Sequence, residues 1–186
     1  MNPLNTIGII ELASIYKGYE VQDLVLKHAR VEKLLARTIC SGKYLIIVRG
    51  ELADVEDCLE MAKKTGSFSI INTLYVPNVD DKIFSAISGC ITLDCEKVDA
   101  MILLETFSVA AVIKAADLAV KEADIDVPRI HVAMAIGGKG FAVLTGNADS
   151  LKSAIVPAVE FLSDDGSLAG YTLITNPHPD VLRDLI

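Results

Sequence analysis

Apolar residues along this chain fall into two rhythms: short runs of strand length, and stretches where they recur every three or four positions. Ile7–Ile10 is a strand-length run closed by Glu11, and Met101–Leu104 is another closed by Glu105. Behind the second, Val109, Val112, Ile113, Ala116, Val120 and Ala123 return at helical spacing. Val21, Leu24 and Val25 keep the same rhythm, less cleanly, behind the first. Strands are predicted next over Leu34–Ile39 and Ile130–Ile136, the latter alternating at Ile130, Val132, Met134 and Ile136. Glycine-bearing turns, Cys40-Ser41-Gly42-Lys43 and Gly137-Gly138-Lys139-Gly140, lead into Tyr44–Val48 and Phe141–Leu144. Second helices are predicted over Leu52–Ala62 and Ala148–Leu162, with Pro157 expected to kink or shorten the later one. Fourth strands, Ser69–Val76 and Tyr171–Thr175, run up to Pro77 and Pro177 and precede short helices at Asp80–Ile87 and Asp180–Ile186.

The two series are one pattern written twice. Glu105 follows Glu11, Ser108 follows Ser14 and Lys121 follows Lys27, all at an interval of 94. Gly138-Lys139 and Gly146 follow Gly42-Lys43 and Gly50 by 96, and Pro177 and Asp180 follow Pro77 and Asp80 by 100. Each copy reads β-α-β-β-α-β plus a terminal helix, the split βαβ or ferredoxin-like order, so the fold class is α+β. A repeat this long is a small domain rather than a solenoid unit. The expected organisation is a first domain at residues 5–90, a linker at 91–98 and a second domain at 99–186.

Composition adds a partner and removes others. The chain is 52% hydrophobic but only 5% aromatic, without tryptophan. An aliphatic load of that size in domains of roughly 90 residues points to a large subunit interface and a homo-oligomer. A net charge of −8 disfavours nucleic acid, whose phosphates need lysine and arginine patches. The apolar runs end at charges or glycines before they reach membrane-spanning length. Met-Asn-Pro-Leu-Asn carries neither the charged region nor the apolar core of a signal peptide, so a cytoplasmic protein is expected. Cysteines at 40, 58, 90 and 95 form no CxxC pair, which argues against a thioredoxin-type or zinc-ribbon site.

Glu105-Thr106, Ala115-Ala116-Asp117, Lys121-x-Ala123, Gly137-Gly138-Lys139, Gly146 and Pro177-His178 resemble the bacterial microcompartment shell-domain pattern, in unpermuted order. The resemblance extends over both copies. Within that family, Thr38-Ile39-Cys40-Ser41-Gly42-Lys43 is similar to a segment of the T-type tandem-domain shell proteins of propanediol-utilisation compartments. The resemblance implies a structural, non-enzymatic homotrimer that mimics a hexagonal tile and assembles with other shell proteins, and with encapsulated or cytosolic redox enzymes as further candidate partners. It implies a central pore lined by Cys40, Ser41, Gly42, Gly137 and Gly138. It also implies one [4Fe-4S] cluster per trimer held through Cys40, for electron transfer across the shell. Lys27 and Lys121, with Asn176 and His178, would lie at tile edges. Two departures stand out: Ser41 occupies a position where those relatives carry proline, and Thr175-Asn176-Pro177-His178 replaces a Pro-Arg-Pro-His motif and its docking arginine.

Each feature also has a plainer reading. Cys40 alone is a small apolar residue ending a strand, and only symmetry would gather enough thiolates for a cluster. The Gly137-Gly138 turn lacks the spacing and the following helix of a phosphate loop, and suits a tight strand–strand turn. Lys27 and Lys121 read as solvated charges on a helix face, Cys58 as core, and Cys90 and Cys95 as unligated linker thiols. Glu11 and Glu105 could be imagined as an acid/base pair, yet they are repeat equivalents with no histidine close in sequence. His28, His131 and His178 show no metal-ligand spacing. Three other functions stay open: a metabolite-conducting pore without a cluster, a small-molecule sensor of tandem ferredoxin-like domains, and, weakest, an enzyme using Cys40 as nucleophile.

Overall fold

In the computed structural model, which describes residues 4–89, 93–95, 98–132 and 137–185, the first series folds as β1 (Thr6–Leu12), α1 (Ile15–His28), β2 (Glu32–Ile39), β3 (Lys43–Gly50), α2 (Leu52–Gly66), β4 (Ile70–Val76) and α3 (Asp81–Ser88). The second folds as β5 (Ala100–Thr106), α4 (Val109–Glu122), β6 (Asp126–Val132), β7 (Gly140–Gly146), α5 (Ala148–Asp164), β8 (Leu168–Thr175) and α6 (Pro179–Leu185). Two four-stranded sheets result, ordered β2-β3-β1-β4 and β6-β7-β5-β8. All neighbours are antiparallel, as the ferredoxin-like reading requires.

The repeated serines turn out to be helix starts. Ser14 accepts the Lys17 N–H and Ser108 the Ala111 N–H, each at 3.4 Å, satisfying one of the donors a helix leaves open at its N-terminus. β6 begins four residues before the expected strand and is described to Val132, so Met134 and Ile136 lie outside the described residues. Pro157 neither breaks nor shortens α5, which runs on to Asp164. Leu151, Ala154, Ile155, Ala158 and Leu162 are buried on both sides of the proline, and that packing outweighs the single lost backbone hydrogen bond.

The ladders also correct the repeat alignment near each C-terminus. Ile9 opposes Leu74, and its equivalent Leu103 opposes Thr172, an interval of 98 rather than 100 on the last strand. Asn78 and Asn176, both left-handed with φ of 51° and 49°, stand at the same interval. A two-residue slip leaves every side chain on its proper face, so the hydrophobic pattern alone cannot detect it.

By packing, the chain divides into one compact unit of Met1–Val79 with Met134–Gly138 and another of Asp80–Ala133 with Lys139–Ile186. Helix α3, part of the first repeat in sequence, therefore belongs to the second unit, where it packs on β6 and α4.

The two repeats fill one space from opposite sides. In the first unit Gly18 of α1 lies under Tyr44 of β3, and a Cβ at position 18 would stand 2.4 Å from the Tyr44 Cβ. In the second, the helix carries Val112 and the strand Gly140, where a Cβ would stand 2.8 Å from Val112 Cγ1. Tyr44 is buried and donates its hydroxyl to Gln22 Oε1 at 2.6 Å. Burial pushes its pKa up to about 12.

Candidate functional site

The two glycine-bearing turns are the part of the molecule where sequence and geometry coincide. Between β2 and β3, Ser41 (φ 64°, ψ 27°) and Gly42 (φ 73°) are both left-handed. Gly137 (φ 65°) and Gly138 (φ 85°) repeat this before β7. Consecutive positive-φ residues make a tight local turn and favour glycine. Proline, fixed near −65°, cannot occupy position 41 in this shape, so the serine marks a different turn geometry and not only a looser one. Ser41, Gly42 and Gly137 are exposed, and a Cβ on Gly42 or Gly137 would meet nothing within 4 Å. Gly138 is buried, and within the first unit its Cβ position lies 3.4 Å from Lys43 Nζ. Part of the second turn is thus brought beside the residue that follows Gly42.

Each turn is tied back to its sheet by a repeated ion pair. Lys43 Nζ donates to Glu11 Oε1 at 2.8 Å, and Lys139 Nζ to Glu105 Oε1 at 3.1 Å. The glutamates therefore anchor the turn lysines, each on its own sheet. Glu11 is almost wholly buried, whereas Glu105 is half-exposed.

Cys40 sits half-buried where the first turn leaves β2. Among the described residues no group of three or more His, Cys, Asp or Glu is arranged to hold a metal ion. A half-buried thiol at the start of an exposed turn, one per chain, would hold a cluster only where several copies converge. Cys58 is fully buried, and burial pushes its thiol up to about 11, so it is a core residue without accessible thiolate. Cys95 is half-buried beside the Leu93 carbonyl, and Cys90 lies outside the described residues.

Lys27 and Lys121 carry their own carboxylates. Lys27 pairs with Asp23 at 2.6 Å and Lys121 with Asp117 at 2.5 Å, again an interval of 94. Asp117 is buried and also accepts the Asp80 N–H at 2.9 Å, whereas Asp23 is open. Left-handed Asn176 donates its N–H to the Asp99 carbonyl, and exposed His178 accepts the Asp180 N–H through Nδ1 at 3.2 Å. His28 Nδ1 lies 2.9 Å from the Leu24 carbonyl, and His131 stacks on Phe141 at 5.0 Å.

Sequence reasoning missed one feature. On the outer face of the second sheet, Leu103, Glu105, Phe141, Gly170, Tyr171 and Thr172 line an open hollow of about 370 Å³. Periodicity gave no signal of it, since the matching face of the first sheet carries the same alternation and is buried at Ile9 and Glu11.

The BMC domain family matches this chain twice, over residues 6–79 and 100–177. Over 180 residues, 97% of each chain, it is 36% identical to the bacterial microcompartment shell protein PduT of Citrobacter freundii. The chain belongs to the BMC-domain family of microcompartment shell proteins. It is thus a structural shell component with tandem domains, not an enzyme. The crystal structure of a microcompartment protein from Desulfitobacterium hafniense DCB superposes with a TM-score of 0.88 at 35% identity, covering 96% of this chain and 98% of that one. The fused permuted hexameric shell protein MSM0275 shares the fold, with a TM-score of 0.62 at 22% identity over 85% and 81% of the two chains. No helix among the described residues is long and apolar enough to cross a membrane.

Proposed function

We propose that this shell protein closes head-to-tail into a pseudohexameric homotrimer whose central pore is framed by Cys40, Ser41, Gly42, Gly137 and Gly138. A mismatch in burial between the repeats carries the reading. Val109, Ala110 and Ile113 of α4 are fully buried, while their equivalents on α1 are open: Ile15 is 39% exposed, Tyr16 76% and Tyr19 59%. The sheets differ the other way: Ile9 and Glu11 are buried, and Leu103 and Glu105 line the open hollow. The chain thus leaves one helix face and one sheet face uncovered, on different units. A ring in which α1 of each copy meets the β5–β7–β8 face of the next covers both, and heterologous contacts of this kind close into rings. Glu105, half-exposed in one chain, then reaches the burial of Glu11.

At the axis of that ring three Cys40 thiolates would hold one [4Fe-4S] cluster, with the fourth iron taking water or a small ligand. Such a cluster supplies one-electron transfer, which assigns the pore to relaying electrons between encapsulated and cytosolic redox enzymes. The turn's contribution is positional: left-handed Ser41 and Gly42 keep side chains off the axis and let backbones approach. Lys27 and Lys121 would form the outer edges through which trimers tile with one another and with other shell proteins.

Anaerobic reconstitution with iron and sulfide tests the pore. A brown protein with a broad visible band is expected, lost in Cys40→Ser and kept in Cys58→Ser, Cys90→Ser and Cys95→Ser. A wild-type trimer that takes up no cluster anaerobically sinks the electron relay and leaves a metabolite conduit lined by the same turns. Sedimentation tests the ring, which should run at three times 19.9 kDa.

A further inference from the structure

The first turn of α3 is held in the second unit by Asp80, Lys82 and Ile83. Its Asp80 N–H donates to Asp117 Oδ1 at 2.9 Å. Lys82 Nζ donates to the Ile125 carbonyl at 2.7 Å and pairs with Asp126 at 3.1 Å and Asp124 at 3.5 Å. Ile83 is fully buried. Helix α6 is the repeat equivalent of α3, and its cap fixes the alignment: His178 accepts the Asp180 N–H where Asp80 accepts the Lys82 N–H. Asp180 therefore stands for Lys82, and Val181 for Ile83. Yet Val181 is 42% exposed, and Asp180, with most of its surface open, pairs locally with Arg183 at 2.6 Å and His178 at 3.6 Å.

The seat that α3 uses also has an equivalent, on the first unit. α1 and α4 are capped at Ala29 and Ala123, and Glu32 opposes Arg49 where Asp126 opposes Thr145. Asp23 then stands for Asp117, Arg30 for Asp124, Val31 for Ile125 and Glu32 for Asp126. α6 carries an aspartate where α3 carries Lys82, and Arg30 replaces Asp124 on the seat, while Glu32 keeps the acidity of Asp126. A lysine on α3 faces aspartates, whereas an aspartate on α6 would face exposed Arg30, with Glu32 neutralised by Arg49 at 2.7 Å. Asp23, solvent-facing in one chain, is placed to accept the His178 N–H as buried Asp117 accepts that of Asp80.

We infer that α6 of one copy seats on the α1–β2 edge of the next, with Asp180 paired to Arg30, His178 N–H turned to Asp23, and Val181 covered. The inference rests on the head-to-tail trimer above and names its second contact. The inversion makes the two seats non-interchangeable. Lys82 would meet Arg30 if α3 took the inter-copy seat, and Asp180 would meet Asp124 and Asp126 if α6 took the seat of α3. Each helix is thereby steered to one place, which guards the ring against exchange of its terminal helices.

Charge reversal tests it, on residues exposed enough that the fold survives, as far-UV circular dichroism would verify. Asp180→Lys and Arg30→Asp should each raise the concentration at which the trimer dissociates about tenfold in sedimentation at low salt, and the double variant should return to within about threefold of wild type. An Asp180→Cys, Arg30→Cys protein should oxidise to linked chains on a non-reducing gel. Single variants that assemble like wild type, or a double no better than either single, would overturn the docking while leaving the trimer standing. A wild-type chain that sediments as a monomer overturns the trimer, and the docking with it.

Discussion

Adding one methyl group to Gly18 should destabilise this protein, although the site is helical and alanine is the better helix former. The new Cβ would stand 2.4 Å from the Tyr44 Cβ, where ordinary carbon contacts begin near 3.5 Å, so α1 and β3 must separate by about 1 Å. Tyr44 cannot swing aside, because the atom struck is bonded directly to the strand backbone and its ring is buried. Overpacking of this kind costs about 3 kcal/mol at its upper range. The helix-propensity gain of glycine to alanine returns about 1 kcal/mol, which leaves a net loss of about 2 kcal/mol. For a chain of this length that lowers Tm by about 4–8 °C. Thermal and urea unfolding followed by circular dichroism would measure it, with Gly140→Ala as comparison. There the nearest atom, Val112 Cγ1 at 2.8 Å, leaves a smaller overlap than the 2.4 Å at Gly18, so a smaller loss is expected. The double Gly18→Val, Tyr44→Gly transplants the second repeat's arrangement into the first and should be more stable than the sum of its single effects by at least about 1 kcal/mol. A Gly18→Ala protein as stable as wild type would refute the reading that the two repeats exchange bulk across this one contact.

Other consequences are quicker to check. At pH 8 iodoacetamide should modify Cys58 only after unfolding, since burial holds its thiol near 11; modification in the native protein would contradict its place in the core. Tyr44→Phe should remove a component that ionises near pH 12 from the alkaline absorbance titration, and should cost about 1 kcal/mol through the lost bond to Gln22. For Lys82, burial alone would lower the pKa, but the hydrogen bond and charge of Asp126, with the charge of Asp124, outweigh it and raise it above 10.5. Its contribution is therefore present below pH 10.5 and lost as pH rises through the folded value. Lys82→Met should lose less than about 1 kcal/mol at neutral pH, with the gap to wild type closing in strong alkali; a gap that widens with pH would reverse the assignment. Lys27→Glu should abolish sheets in electron micrographs and leave trimers intact. It is a cleaner edge test than Lys121→Glu, because Lys121 also neutralises buried Asp117. Unchanged sheets would remove the edge role.

Much of this was legible before any coordinates. Local residue chemistry sets a helix start at Ser108, a positive-φ turn at Gly137-Gly138 and a strand at Met101–Leu104, because capping, positive φ and alternation act over a few neighbouring residues. The interval of 94 between Glu11 and Glu105 was visible for the same reason: each must end a buried strand and meet the lysine after a tight turn. Cys40 could be placed at a turn by its neighbours, but nothing in its own neighbourhood says whether other copies bring their thiols to it.

What escaped depends on contacts between residues distant in sequence. Pro157 reads as a helix breaker until the packing of Ala154 and Ala158 around it is counted. The interval of 98 at β4 and β8 is set by the ladder with β1 and β5, to which a hydrophobic pattern of period two is blind. The seating of α3 outside its own repeat, the exposure of Val181 and the half-buried state of Leu103 follow from which surface each element meets. Sequence by itself determined two α+β repeats and the turns that join their strands, since short-range forces specify these. Only the tertiary structure decided which of two chemically similar faces is covered and which is left open, because burial is a property of the neighbour as much as of the residue.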